Sequence, residues 1–270
     1  MVKTMKNPID KEIRAEIMRR IKSAEKEHNV NILFAIESGS RAWGFASPNS
    51  DYDVRFIYAH PQDWYLDINV EAKRDVIEYP IVDEIDINGW DIRKALMLFW
   101  KSNPAFVEWI QSPIVYVDDG HFAKNVSELL PSIYMHEKGI YHYKHMAKTN
   151  YRGYLREDEV LLKKYFYVLR PLLAIKWLEE NKEPAPIEFD VLRTLIADDR
   201  VLSNEVENLL VRKKASLEKD RIPRVPAIND FIEKELERLE DYADVPEREA
   251  KDMLALNKLF KTIISRVEDV

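Results

Sequence analysis

The chain has 270 residues, 46% hydrophobic and 33% charged, with a formal net charge of −7 and no cysteine. This excludes disulfides, zinc knuckles and thiol catalysis, and it argues against a protein whose main task is coating nucleic acid, which needs clustered Lys and Arg. The longest apolar run, Ala95–Trp100, spans six residues where a membrane helix needs about 20; with no apolar signal segment near the start, a cytoplasmic location without membrane association is expected.

In chain order, residues 10–28 form an amphipathic helix, because Ile13, Ile17 and Ile21 recur every fourth position. The β-branched run 29–36 predicts a buried strand that ends at Ser38-Gly39-Ser40. After a loop with Pro48 and Asn49, residues 52–58 predict a second strand; 75–79 and 82–90 are a third and a fourth. Asp91 stands at a helix N-cap, Asn103-Pro104 stops that helix, and a short helix follows before Ser112-Pro113. From about residue 121 helical periodicity dominates, over 137–156, 158–180, 188–197, 204–215, 228–244 and 247–267, punctuated by Pro184, Pro186, Pro223, Pro226 and Pro246. The expected organisation is an α/β (α+β) domain with a mixed sheet over 1–120, followed by an all-α helical domain over 121–270 that can wall a cleft.

The chemistry concentrates in residues 37–58. Gly39-Ser40 at a strand end, opening a helical turn, exposes backbone N–H groups that can cradle a phosphate, with the Ser40 hydroxyl and Arg41 beside them. A spacer of ten residues separates Ser40 from Asp51-Tyr52-Asp53. On a strand, residues i and i+2 share a face, and two adjacent carboxylates repel unless a cation sits between them. Mg²⁺ suits that arrangement, since it takes few carboxylates and completes its octahedron with water and phosphates. A third acid is expected at Asp86, inside the apolar–acid–apolar pattern Ile85-Asp86-Ile87; Asp91 and Glu84 are its rivals, Asp91 having the look of a cap.

These residues resemble the signature of the DNA polymerase β nucleotidyltransferase superfamily. The blocks GSRAWGFASPNSDYDVRFIY, INGWDIRKAL, NPAFVEWIQSPIVY and KKYFYVLRPLLAIKW resemble one branch of it, the nucleotidyltransferases grouped with RNA-repair pathways alongside RNA ligases. The resemblance implies a mixed sheet flanked by helices, Mg²⁺ or Mn²⁺, and transfer of a nucleoside monophosphate from an NTP. It implies that Gly39 and Ser40 bind triphosphate, that Asp51 and Asp53 hold metal, and that Asp86 is metal ligand and base for the acceptor hydroxyl.

Other residues carry two readings each. Arg41 contacts phosphate or pairs with Glu37 or a nearby Asp. Arg55 offsets the acids or touches phosphate, an ion pair being favoured. Trp43, Phe45 and Tyr52 are packing residues before they are base-stacking ones. Lys163, Tyr167 and Arg170 fall on one helix face at i, i+4 and i+7 and are candidates to bind the nucleotide from the second domain, while Lys164 has no evident place. His142 and His145 lack matching metal ligands and are structural or acceptor-site groups; Arg212-Lys213-Lys214 has the composition of a solvated helix end, with binding of an RNA strand as its second reading. The expected partners are an NTP, ATP first, an RNA end as acceptor and an RNA ligase docked on the helical half. The alternatives are AMP transfer to a protein or small-molecule hydroxyl, and a nucleotide-binding regulatory module without turnover.

Overall fold

The computed structural model describes residues 9–242 and 251–267. The end of the expected helix over 228–244, the start of that over 247–267 and Pro246 lie outside them.

Helix α1 (Lys11–His28) starts where the Asp10 side chain accepts from Glu12 N, 2.8 Å, and ends at Asn29 in the left-handed region. Its Ile17, Ile21 and Ala24 are buried. Strand β1 (Asn31–Glu37), helix α2 (Gly39–Trp43) and strand β2 (Tyr52–Ala59) follow, then α3 (Gln62–Leu66), β3 (Val76–Glu78) and β4 (Ile85–Asp91). Next come α4 (Ile92–Trp100), α5 (Pro104–Ile110) and β5 (Val115–Asp118). The five strands form one sheet in the order β3-β4-β2-β1-β5. The β2–β4 pair is parallel and the other pairs are antiparallel, so the sheet is mixed.

Period two assigns the faces of this sheet. Val54, Phe56 and Tyr58 of β2 and Ile85 and Ile87 of β4 pack with α1 in one core. Ile57 and Ala59 point the other way, into a second core with Ile92, Phe99 and Phe106. Trp90 stacks there on Trp109 with centroids 3.7 Å apart. Asp53, Arg55 and Asp86 therefore share the face that α4 and α5 cover further along the strands.

The helical half comprises α6 (Phe122–Ile133), α7 (His136–Tyr154), α8 (Leu162–Asn181), α9 (Phe189–Leu192), α10 (Arg200–Ala215), α11 (Pro226–Arg238) and α12 (Lys251–Ile264). It is not wholly α: β6 (Glu159–Leu161) and β7 (Arg221–Pro223) pair as a two-stranded antiparallel ribbon. The core of this half centres on α8, where Tyr165, Phe166, Leu169, Leu172 and Leu173 are all buried. Phe45, from the loop after α2, inserts into it and stacks on Phe166 at 4.7 Å.

Packing also runs across the 120/121 division. Phe122, Val126 and Ile133 of α6 and Leu256, Leu259 and Ile263 of α12 join the sheet-side core. No helix among the described residues is long and apolar enough to cross a membrane.

Candidate active site

The site forms where β1 ends and β2 begins, beside α2. Backbone pairing continues past the strands, Ser38 N donating to Asp53 O at 2.8 Å, and this draws Gly39 against the Asp53 side chain. Gly39 has φ +58, and a Cβ there would stand 2.0 Å from Asp53 Oδ2. Only glycine admits both that backbone and that approach. Gly44, with φ +89, closes the turn of α2.

In the parallel register Asp53 lies opposite Asp86. Both carboxylates converge on one nitrogen of Arg55: Nη2 is 3.0 Å from Asp53 Oδ1 and 2.7 Å from Asp86 Oδ2. Arg55 thus offsets the acids. Asp51 stands exposed at the mouth, one residue before β2 begins. Burial pushes the Asp53 carboxyl above its ordinary value; the Arg55 charge opposes this, and the charges of Asp86, Asp51 and Glu218 add to it. Three acids therefore bear on the acid at the centre, a demand for positive charge that one arginine does not fully meet.

Asp91 lies five positions further along β4, opposite Tyr58, about 17 Å from Asp86 at 3.3 Å per residue. Its carboxylate caps α4 by accepting from Arg93 N at 2.8 Å, and it accepts from the Tyr65 hydroxyl at 2.7 Å. Glu84 is exposed, in the turn before β4. Of the three acids considered, Asp86 is the one brought to Asp53.

Arg41 turns toward the chain. It donates to Ser50 O at 2.6 Å and Asp51 O at 3.3 Å, and its guanidinium lies 3.9 Å from the Tyr52 ring centroid. Its Nε is 3.8 Å from Glu37. Arg41 thereby fixes the loop that delivers Asp51, and Tyr52 and Phe45 are occupied by packing. Trp43 meets Tyr167 edge-on, with ring centroids 5.7 Å apart.

The helical face behaves differently at each of its three positions. Tyr167 is at the site: burial pushes its hydroxyl up to about 12, and the charges of Asp53 and Glu218 reinforce the shift. Lys163 pairs with Glu218 at 3.0 Å. Arg170 is 3% exposed and donates to both Glu108 oxygens, at 2.8 and 2.9 Å, so the structure assigns it to an ion pair joining α8 to α5. Lys164 has no carboxylate partner among the described residues. Its ammonium sits 3.7 Å from the Tyr154 ring centroid and 4.8 Å from that of Tyr167.

Two groups here escaped the sequence reading. Glu37 is fully buried, accepting from Asp53 N at 3.1 Å and from the Tyr116 hydroxyl at 2.7 Å, and burial pushes its carboxyl up to about 7. An acid closing an otherwise apolar strand was the available signal. The second is a latch from the helical half onto the loop before Asp51. Glu218 accepts from Ser50 Oγ at 2.5 Å and Lys213 Nζ at 2.7 Å, and its backbone N–H donates to Asn49 Oδ1 at 3.0 Å. Lys213 also donates to Ser47 Oγ at 2.6 Å. At 2% exposure it is a buried lysine, contrary to the expected solvated helix end.

His142 and His145 form no metal cluster; His145 packs on Tyr141, ring centroids 4.4 Å apart. Among the described residues no three acidic or histidine side chains converge on one point. The donor set at β2 and β4 is two convergent carboxylates with a third at the mouth, all hard oxygen, which fits a Mg²⁺-type ion that takes part of its shell from a triphosphate. It does not form a closed protein cage.

The model of the RNA repair pathway DNA polymerase beta family matches residues 13–262. YcgL, an uncharacterized protein of Bacillus subtilis (strain 168), is 44% identical over 259 residues, covering 96% of this chain and 98% of its own. A crystal structure of a nucleotidyltransferase-like protein from Exiguobacterium sibiricum 255-15 aligns over 93% of this chain and 91% of its own, at 12% identity and a TM-score of 0.34. That likeness is too distant to bear on the site.

Proposed function

This chain belongs to the RNA repair pathway DNA polymerase beta family, and from that premise we propose that it transfers a nucleoside monophosphate from an NTP, ATP first, to a hydroxyl acceptor, an RNA end. The observation that carries the proposal is the in-register convergence of Asp53 and Asp86 on one cationic nitrogen, 3.0 and 2.7 Å away, on the uncovered end of a sheet face.

The acceptor oxygen forms a bond to the α-phosphorus in line with the bond that breaks, and pyrophosphate carries away the electron pair. Asp86 takes the acceptor proton. Asp51, Asp53 and Asp86 would hold Mg²⁺ or Mn²⁺, which would supply the charge that the triphosphate and the acid cluster both need. Gly39 and Ser40 seat the β- and γ-phosphates at the start of α2. Arg41 and the Ser47–Ser50 loop, latched by Glu218 and Lys213, hold Asp51 at the mouth. From the helical half, Tyr167 and Lys164 face the substrate. Lys163 and Arg170, the other candidates on that face, are engaged by Glu218 and Glu108.

The test uses each NTP labelled at the α-phosphate, Mg²⁺ or Mn²⁺, and a short RNA with a 3′-hydroxyl. An RNA lengthened by one labelled nucleotide supports the reading. Label on a protein or small-molecule hydroxyl moves the acceptor, and label nowhere contradicts transfer.

Arg55 favours a second reading, a nucleotide-binding regulatory module, because a guanidinium already bridges the acids. Tight NTP binding without pyrophosphate release is the result that selects it. A ligase partner for the helical half is tested by co-purification.

A further inference from the structure

Helix α7 is unlike the rest of this acidic chain. Between Glu137 and Glu157 there is no Asp or Glu, yet Lys138, Lys144, Lys148, Arg152 and Arg156 all fall there. Lys144 is buried and donates to the carbonyls of Glu240 and Tyr242. The inward face of the helix is Ile140, Tyr143, Ala147 and Tyr151.

Lys138, Tyr141, His145, Lys148 and Arg152 follow one another at steps of three and four, which places them in one stripe on the outer face. Tyr141, His145 and Arg152 are exposed, and Lys138 and Lys148 partly so. The Tyr141 and His145 rings pack together at an interplanar angle of 61°, leaving Tyr141 43% exposed.

The cations of this stripe also have few acids beside them. Several surface arginines elsewhere are matched, as in Arg19–Glu16, Arg193–Glu207, Arg212–Asp220 and Arg238–Glu179. Lys138 and Arg152 have no carboxylate partner among the described residues. Among the described residues Lys148 has Glu240 alone, 3.9 Å away and 70% exposed. A ridge of unneutralised cations with exposed rings between them has the two elements a single-stranded polynucleotide requires: charge for its phosphates and flat faces for its unpaired bases.

The C-terminal end of α7 connects through ring and cation contacts to the side of the acids. Tyr154, the last residue of α7, carries the Lys164 ammonium on its ring; Lys164 in turn faces Tyr167, whose hydroxyl feels the Asp53 charge. The stripe spans 15 residues of helix from Lys138 to Arg152, about 21 Å over its 14 steps of 1.5 Å, room for about four nucleotides.

We infer that the Lys138–Arg152 face of α7 is the docking surface for a single-stranded RNA, the strand whose terminal hydroxyl is presented to Asp53 and Asp86. The inference rests on the proposed transfer reaction for its purpose, but RNA binding is measured without turnover. Asp53→Asn, which silences transfer under that reading, leaves RNA binding at the wild-type level. The two claims can therefore fail separately.

The experiment is fluorescence anisotropy of a labelled 12-nucleotide single-stranded RNA with the full chain, over a series of salt concentrations. The same-length RNA duplex, single-stranded DNA and heparin are run alongside. Tyr141→Ala weakens single-stranded RNA about tenfold, the loss of one stacked base, and leaves heparin unchanged. Lys148→Ala with Arg152→Ala flattens the salt dependence by about 1.4 in log–log slope, two phosphate contacts on a single strand. The melting temperatures of these variants stay at the wild-type value, because the replaced side chains face solvent. No RNA binding by the wild type overturns the inference. So do unchanged affinity and slope in both variants, tighter binding of DNA or duplex than of single-stranded RNA, or equal losses toward heparin and RNA.

Discussion

Replacing Arg170 with Met separates the structural from the nucleotide-binding role of that residue. The Arg170 and Glu108 side chains are 3% and 7% exposed. The Tyr143 hydroxyl is the other donor to Glu108, at 2.9 Å, and the Arg170 guanidinium also lies 4.2 Å from the Trp43 ring centroid. Arg170→Met leaves a carboxylate buried with one neutral donor, which costs about 3–5 kcal/mol. At roughly 2–4 °C per kcal/mol for a chain of this size, the melting temperature falls by about 10 °C. Glu108→Gln added to Arg170→Met removes the stranded charge and keeps an acceptor for Tyr143, so most of the loss returns. The cycle then gives a coupling of about 3 kcal/mol. Urea unfolding of the wild type, both single variants and the double variant measures this, with NTP affinity determined on the same samples. Wild-type stability in Arg170→Met together with a tenfold loss of NTP affinity would refute the structural assignment and put Arg170 on the nucleotide.

Gly39→Ala is expected to lower turnover about 100-fold, since displacing a catalytic group by an ångström costs that much, while a thermal melt moves only a few degrees; wild-type turnover would show that the Gly39–Asp53 contact does not matter. Burial opposes charge on Glu218, but hydrogen bonds from Lys213, Ser50 and Lys163 outweigh it and hold its carboxyl down at about 2. With the folded value depressed, its contribution is complete above the ordinary 4.5 and is lost as pH falls toward 2, about 2 kcal/mol after allowing for solvent screening. Urea midpoints against pH should therefore fall less steeply in Glu218→Gln than in wild type, and an unchanged acid limb would contradict the latch. Burial raises the Asp91 carboxyl to about 6, so its charge costs stability as pH climbs from about 4 to 6. Asp91→Asn, which keeps the cap, should melt at or above the wild-type temperature at pH 7.5 and keep turnover, whereas Asp91→Ala loses about 1–2 kcal/mol; a folded but inactive Asp91→Asn would make Asp91 the third acid.

Local pattern reveals what depends on neighbours in sequence. The apolar–acid–apolar run at Ile85-Asp86-Ile87 and the acid two residues before Arg55 predict one face of one sheet, and the β2–β4 register delivers it. The cap at Asp91 and the Pro104 boundary are short-range signals of the same kind. What stayed hidden was long-range. Lys213 looks solvated among Arg212 and Lys214, and its burial arises from partners at Ser47 and Glu218, one of them 166 positions away. Glu218 sits in a loop without periodicity. Strand β5 is four residues long, too short for periodicity to resolve, and Pro131 masks the amphipathic run of α6. Arg170 did leave a signal: Val168, Leu169, Pro171 and Leu172 surround it, and a helix apolar on every side is buried.

The most direct test of the central claim is pyrophosphate release by wild type and Asp53→Asn, side by side, with each of the four NTPs, Mg²⁺ or Mn²⁺, and a single-stranded RNA bearing a 3′-hydroxyl. Release by the wild type alone, dependent on the metal and matched by a lengthened RNA, is the predicted result. Equal release by a folded Asp53→Asn, or none from either while NTP is bound, would contradict it.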